Sequence, residues 1–161
     1  MRLPVRLAVV LTALATSAVS APAASADPPE VLVGNVRVTS FTPLPDLRRE
    51  TGGVVHFEYQ ITALLSGDVR ATTREHYTCL RNENVIRCNG DVAGTLVDAA
   101  GRPTGGTTQS HVRLTCDGTL TVCEATTHYT GVDDAGRRAV GRGTIRTVLG
   151  VGSYEFQQTR P

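Results

Sequence analysis

Val54 to Cys88 reads VVHFEYQITALLSGDVRATTREHYTCLRNENVIRC. Val55, Phe57, Tyr59, Ile61, Ala63 and Leu65 alternate with Val54, His56, Glu58, Gln60, Thr62 and Leu64, the two-residue period of a strand with one buried face. Past Ser66-Gly67-Asp68 the alternation resumes, with Val69, Ala71, Thr73, Glu75, Tyr77 and Cys79 set against Arg70, Thr72, Arg74, His76 and Thr78. The turn-forming triplet between the two runs predicts a hairpin. A three-residue loop sets Leu65 opposite Val69, Ala63 opposite Ala71, Phe57 opposite Tyr77 and Val55 opposite Cys79, so like surfaces meet. A slip of one residue would turn every side chain to the other face.

Outward from that hairpin, Cys79 and Cys88 bracket LRNENVIR, and their direct pairing closes a second hairpin on a two-residue turn at Glu83-Asn84. Both cysteines then share the face of Val55 and Phe57, and closing so short a loop contributes about 2 kcal/mol. Ile86, Cys88, Gly90, Val92, Gly94 and Leu96 continue the inward series. Further on, His111 to Thr115 reads as strand, and two signals conflict around Cys116-Asp117-Gly118-Thr119. A tight Asp-Gly turn would leave Cys116 and Cys123 four strand positions apart, about 13 Å, beyond disulfide reach. The preferred reading is a wider loop closed by Cys116 with Cys123, although four cysteines allow three connectivities.

The remaining segments extend the same vocabulary. Val31 to Ser40 predicts a strand flanked by prolines, and Asp46 to Gly53 a connecting loop with one helical turn. GVDDAGR at 131–137 echoes VDAAGR at 97–102 as recurrent turn sequence. Ala139, Gly141, Gly143, Ile145, Thr147 and Leu149 alternate inward, and after Gly150-Val151-Gly152 a last strand presents Tyr154 and Phe156. About eight strands at hairpin spacing, with no amphipathic helix, predict an antiparallel meander forming a small β-barrel, with a β-sandwich as the alternative. Small inward residues such as Ala71, Gly94, Gly141 and Gly143 either leave a cavity or allow tight curvature. In strand count and in its cysteine-paired hairpin the arrangement loosely resembles secreted bacterial barrels of the allene oxide cyclase or dirigent type.

Residues 1–26 carry the marks of a secretory signal: Arg2 and Arg6, an apolar run from Leu7 to about Val19, and Ala24-Ser25-Ala26 before Asp27. The apolar run is too short for a membrane span, so residues 27–161 are expected to form one secreted, extracellular domain. All sixteen basic residues are arginine, a bias that suggests a GC-rich coding genome and a bacterial source. Removing the signal takes Arg2 and Arg6 from those sixteen, leaving fourteen arginines against fifteen acidic residues. Net charge therefore gives no case for a nucleic-acid or membrane partner. The four cysteines, with no CxxC pair, fit two disulfides in an oxidising compartment better than a metal knuckle.

Two constellations could carry chemistry. In the chosen register Glu58 faces His76 with His56 diagonal to His76 on the same face, a candidate zinc trio; a solvated Glu58–His76 ion pair beside Arg74 is the simpler reading, and neither metal nor cofactor is expected. Glu75 is the sharper anomaly, because alternation sends its carboxyl to the face of Phe57, Tyr59 and Tyr77. In a pocket, desolvation would raise its pKa toward that of a general acid, with Tyr59 directly opposite as a hydrogen-bond donor; at a barrel mouth it would pair with an arginine. Arg138, Arg142 and Arg146 form a stripe on one strand face. His111 and His128 read as structural, and no serine lies in a G-x-S-x-G context. The leading expectation is a non-enzymatic barrel that binds a small apolar ligand or a protein partner. The alternatives are an enzyme using Glu75 with Tyr59 and Tyr77 for acid-base chemistry, and a purely structural extracellular protein.

Overall fold

The computed structural model describes residues 28–160. The expected signal segment, residues 1–26, lies outside them. Eight strands follow one another: β1 (Glu30–Thr51), β2 (Val54–Gly67), β3 (Ala71–Asn82), β4 (Val85–Val97), β5 (Pro103–Asp117), β6 (Val122–Val132), β7 (Arg138–Val148) and β8 (Val151–Thr159). Each pairs antiparallel with the next, and β8 returns to β1, so the meander is a closed barrel and not a sandwich. Among the described residues no helix is long and apolar enough to cross a membrane.

Following pairing partners once around the ring from Val55 leads back to β2 at Leu65, a stagger of ten residues. For eight strands this calls for a tilt of roughly 40°, within the range in which side chains nearly fill the bore. How completely they fill it depends on which residues point inward at each level.

The alternation read from the sequence is the alternation observed: Val55, Tyr59, Ala63, Ala71, Tyr77 and Cys79 are buried, and their intervening neighbours are mostly exposed. The register of the first hairpin differs. Leu65 pairs with Ala71, Ala63 with Thr73, Tyr59 with Tyr77 and Phe57 with Cys79, so the loop holds five residues, Ser66 to Arg70. The shift is two positions, which leaves every side chain on its expected face. Tyr154 of β8 accounts for the wider loop, since its hydroxyl accepts from the Val69 N–H at 2.9 Å and donates to the Val69 carbonyl at 3.0 Å. Asp68 adds a second tie, accepting the Val33 N–H at 2.8 Å.

β1 corrects the sequence reading more substantially. It runs on past Ser40 through both prolines to Thr51, with register breaks between Val38 and Ser40 and between Leu44 and Arg49. There is no helical turn at 46–53. The prolines are tolerated because β8 pairs with β1 only from Glu30 to Arg37, so beyond that point one edge of β1 has no strand partner.

Both expected disulfides are present, Cys79–Cys88 across the β3–β4 pair and Cys116–Cys123 across β5–β6, and no described cysteine is free. The β5–β6 hairpin closes on four residues, Gly118 to Thr121, not on a tight Asp-Gly turn. Asp117 Oδ1 organises it by accepting the Thr121 N–H at 2.7 Å and the Thr119 N–H at 3.2 Å. The disulfides lie in one half of the barrel, among Tyr59, Tyr77, Ile86, Val112 and Ala125, and form with them a continuous core. A smaller cluster of Leu32, Tyr154 and Phe156 lines the β1–β8 wall.

The inward glycines have two distinct uses. Gly90, Gly141 and Gly143 stand directly opposite Tyr77, Tyr129 and Phe156 on neighbouring strands. Each ring lies so close over its glycine that a Cβ there would overlap it. These three pairings let a tightly curved sheet carry large rings inside. Ala71, Gly131 and Ala139 have no such cover and leave open space.

Candidate functional site

That space is a cavity of about 420 Å³, within the range of small-molecule sites. It opens at the end of the barrel away from the disulfides, where the β2–β3, β4–β5 and β6–β7 loops gather. Its wall is apolar in the main, with Leu32, Leu65, Leu96, Val112, Ile145 and Phe156. Thr73, Glu75, Thr108, Ser110, Thr127 and Tyr129 give it a polar minority.

Glu75 is the one acidic residue on the inner wall of β3, and it sits where that wall meets the tyrosines of the core. The Tyr77 hydroxyl donates to Oε2 at 2.7 Å, and the Thr73 hydroxyl donates to Oε1 at 2.6 Å. The residue is half-buried and lines the cavity, and it also borders an outer-wall pocket with Gln60, Arg74, His76 and Asp91. Desolvation raises its pKa, and the two hydrogen bonds oppose the shift without cancelling it. No ion pair among the described residues includes Glu75. The arginine partner considered from sequence is therefore not observed.

The tyrosine assignment changes with the register. Ile61, not Tyr59, is opposite Glu75, and the phenol that bonds it is Tyr77, two positions along the same strand. Tyr59 stacks on Tyr77 at 5.2 Å between centroids and places its hydroxyl 3.8 Å from Cys88 Sγ. Burial first, and then the neighbouring Glu75, raise the pKa of both phenols, so each stays protonated through neutral pH.

Thr73 and Thr127 had no signal in the sequence beyond their inward phase. Thr127 is 3% exposed, lines the cavity from β6, and has a hydroxyl with no hydrogen-bond partner among the described residues. A buried hydroxyl left in this state costs roughly 1–3 kcal/mol. Nearer the mouth, Tyr129 donates to Gln158 Oε1 at 3.3 Å, and Gln158 donates to Glu30 at 2.8 Å. Desolvation, followed by the Glu30 charge, pushes the Tyr129 phenol up to about 12.

The echoed turn sequences are two copies of one device at this mouth. Asp98 Oδ1 accepts the N–H groups of Ala100 at 2.8 Å and Arg102 at 2.9 Å, and its Oδ2 accepts Arg102 Nε at 2.9 Å. Asp133 does the same with Ala135 at 3.0 Å, Arg137 N–H at 2.9 Å and Arg137 Nε at 2.7 Å. Gly101 and Gly136 supply the left-handed residue each turn needs, with φ of 79° and 77°. The Arg102 and Arg137 amides hold the two aspartates below the usual carboxylate range. Both loops are thus tied down before anything enters the cavity.

The histidine constellation lies on the outer wall. Glu58 and His76 pair at 2.7 Å, diagonally across strands, because the shifted register sets His76 opposite Gln60 and Glu58 opposite Thr78. His56 stands opposite Leu80 and is not part of that pair. Among the described residues no three His, Cys, Asp or Glu side chains converge on a metal-sized site. His111 contacts Asp91 at 3.1 Å and faces His128 across the β5–β6 pair. Arg138, Arg142 and Arg146 are all exposed on β7, with Arg146 3.5 Å from Glu124.

Neither a scan against protein-family models nor a search of curated proteins finds a match to this chain.

Proposed function

We propose that this protein is a secreted binding barrel that holds a small, mainly apolar ligand in its open half. The observation that carries the reading is the cavity itself. The inward positions of one half are filled by rings and disulfides, whereas the other half keeps about 420 Å³ behind a mouth of hydrogen-bonded loops. A sheet built only for stability would fill that volume, since unfilled apolar space costs contacts on every side. The signal-like residues 1–26 and the two disulfides support export to an oxidising compartment.

Extraction of the protein from its native culture medium, followed by untargeted mass spectrometry, tests the reading. One compound is expected to accompany the wild-type protein and to be lost from Ala139→Phe, in which a ring fills the cavity from β7. Recovery of the same compound from both proteins would place its binding outside the cavity.

A second reading, acid-base catalysis, draws support from the short Glu75–Tyr77 contact inside the same cavity. It predicts that the compound recovered from Glu75→Gln differs in structure from that recovered from the wild type. A binding barrel yields the same compound from both.

A further inference from the structure

Resting on the cavity as a ligand site, we infer that its occupant is an organic ammonium: a compact apolar body bearing one amine that pairs with Glu75. An interior carboxyl is costly unless something compensates it, and the described residues bring it hydrogen bonds but no cation. Thr73 and Tyr77 aim one donor at each oxygen, which prepares the carboxylate form as an acceptor and leaves lone pairs on both oxygens for a ligand. The arginines among the lining residues, Arg70, Arg137, Arg138 and Arg160, belong to the mouth loops and the strand ends beside them. None lies on the inner wall beside Glu75.

The surroundings also suit a cation. Tyr77, Tyr129 and Phe156 supply aromatic surface to the lining, and ring faces attract ammonium groups. Thr127, buried and unpartnered, offers a hydroxyl oxygen as a further acceptor. An anionic ligand would meet the Glu75 carboxylate without compensation. A purely hydrocarbon ligand would leave the Glu75 carboxylate without a cation and the Thr127 hydroxyl without a partner, which is the condition the cavity already has without it.

Binding of an ammonium requires Glu75 to be ionised. Inside the barrel the titratable groups that face it are Tyr59 from β2 and Tyr77 from its own strand, and both remain protonated through neutral pH, while Arg74, His76 and Asp91 share the outer-wall pocket that Glu75 borders. Val92, paired with Glu75 on β4, and Ser110, paired with Val92 on β5, do not titrate. Ammonium affinity should therefore rise with pH as Glu75 loses its proton and then level off.

Three naphthalenes of nearly equal shape decide the matter by calorimetric or fluorescence titration: 1-naphthylmethylamine, 1-ethylnaphthalene and 1-acetylnaphthalene. The wild-type protein at pH 8 should bind the amine at least tenfold more tightly than the ethyl compound. The preference should vanish below pH 4 and in Glu75→Gln at any pH. Thr127→Val, which exchanges an unpartnered hydroxyl for a methyl and so preserves the fold, should reduce the preference severalfold. Equal binding of amine and hydrocarbon, unchanged by Glu75→Gln, overturns the ammonium assignment while leaving the cavity as a ligand site. A preference for the ketone overturns it in favour of Glu75 as a neutral donor. Failure of all three probes to bind counts against the cavity reading and removes this proposal with it.

Discussion

The two halves of the barrel use the same strands to opposite ends. Toward the β3–β4 and β5–β6 turns, Cys79–Cys88 and Cys116–Cys123 fasten adjacent strands, and Tyr59, Tyr77, Ile86 and Val112 fill the space between them. Toward the other end the inward series thins to Ala71, Gly131 and Ala139, and loops organised by Asp68, Asp98 and Asp133 replace covalent staples. A barrel whose ring is closed by the β1–β8 pairing tolerates a poorly filled half provided the other half is well packed. On the proposed reading, one end carries stability and the other recognition.

The largest expected effect tests that division. Ile86→Ala removes one of the two most deeply buried large side chains, 2% exposed, and should cost about 3 kcal/mol in urea unfolding. Leu96→Ala, on the half-buried cavity wall, should cost about 1 kcal/mol because its side chain already faces open space. Equal costs would erase the distinction between the halves. Next in size, the double change of Cys79 and Cys88 to alanine should cost about 2–3 kcal/mol, as expected for releasing a loop with a sequence separation of nine. Probe binding in the cavity should survive below the new midpoint.

Glu75→Gln sharpens the comparison through pH. The folded-state pKa of Glu75 is raised above its ordinary 4.5, so the native protein keeps a proton that the unfolded chain releases as pH rises past that value. Wild-type stability should thus be highest below pH 4.5 as far as this group is concerned. It should fall by at most about 1.4 kcal/mol per pH unit above it, and level off once the native carboxyl ionises. The glutamine variant should lack this component. Identical pH profiles for the two proteins would mean that Glu75 is solvated in the folded state. The smallest effect belongs to the mouth: Asp133→Ala should speed amide exchange at Ala135 and Arg137, leave exchange at Cys79 and Ile86 untouched, and barely move the thermal midpoint.

Alternation in Val55–Leu65 and Val69–Cys79 carried enough information to place every inward residue, Glu75 included, because burial is periodic even where pairing is ambiguous. The eight residues between Cys79 and Cys88 likewise allow direct opposition across a two-residue turn. Loop length was not legible. A three-residue and a five-residue loop preserve the same faces, and the contact that distinguishes them, Tyr154 with Val69, joins residues 85 positions apart. The change of tyrosine partner from Tyr59 to Tyr77 follows from that one uncertainty. The extension of β1 through Pro43 and Pro45 depended on where β8 stops, and the orphaned hydroxyl of Thr127 on which neighbours barrel closure brings to it. Both are properties of the closed ring, beyond the reach of local pattern.

Amide chemical-shift mapping with 1-ethylnaphthalene tests the division of the barrel most directly, because it reads both halves and the outer wall in one experiment. Saturable shifts are predicted at Thr73, Val92, Thr127 and Tyr129, with Cys79, Ile86 and Cys116 unmoved. Saturable shifts confined to the exposed outer residues Val148, Leu149 and Val151, or none anywhere, would contradict the assignment of recognition to the open half.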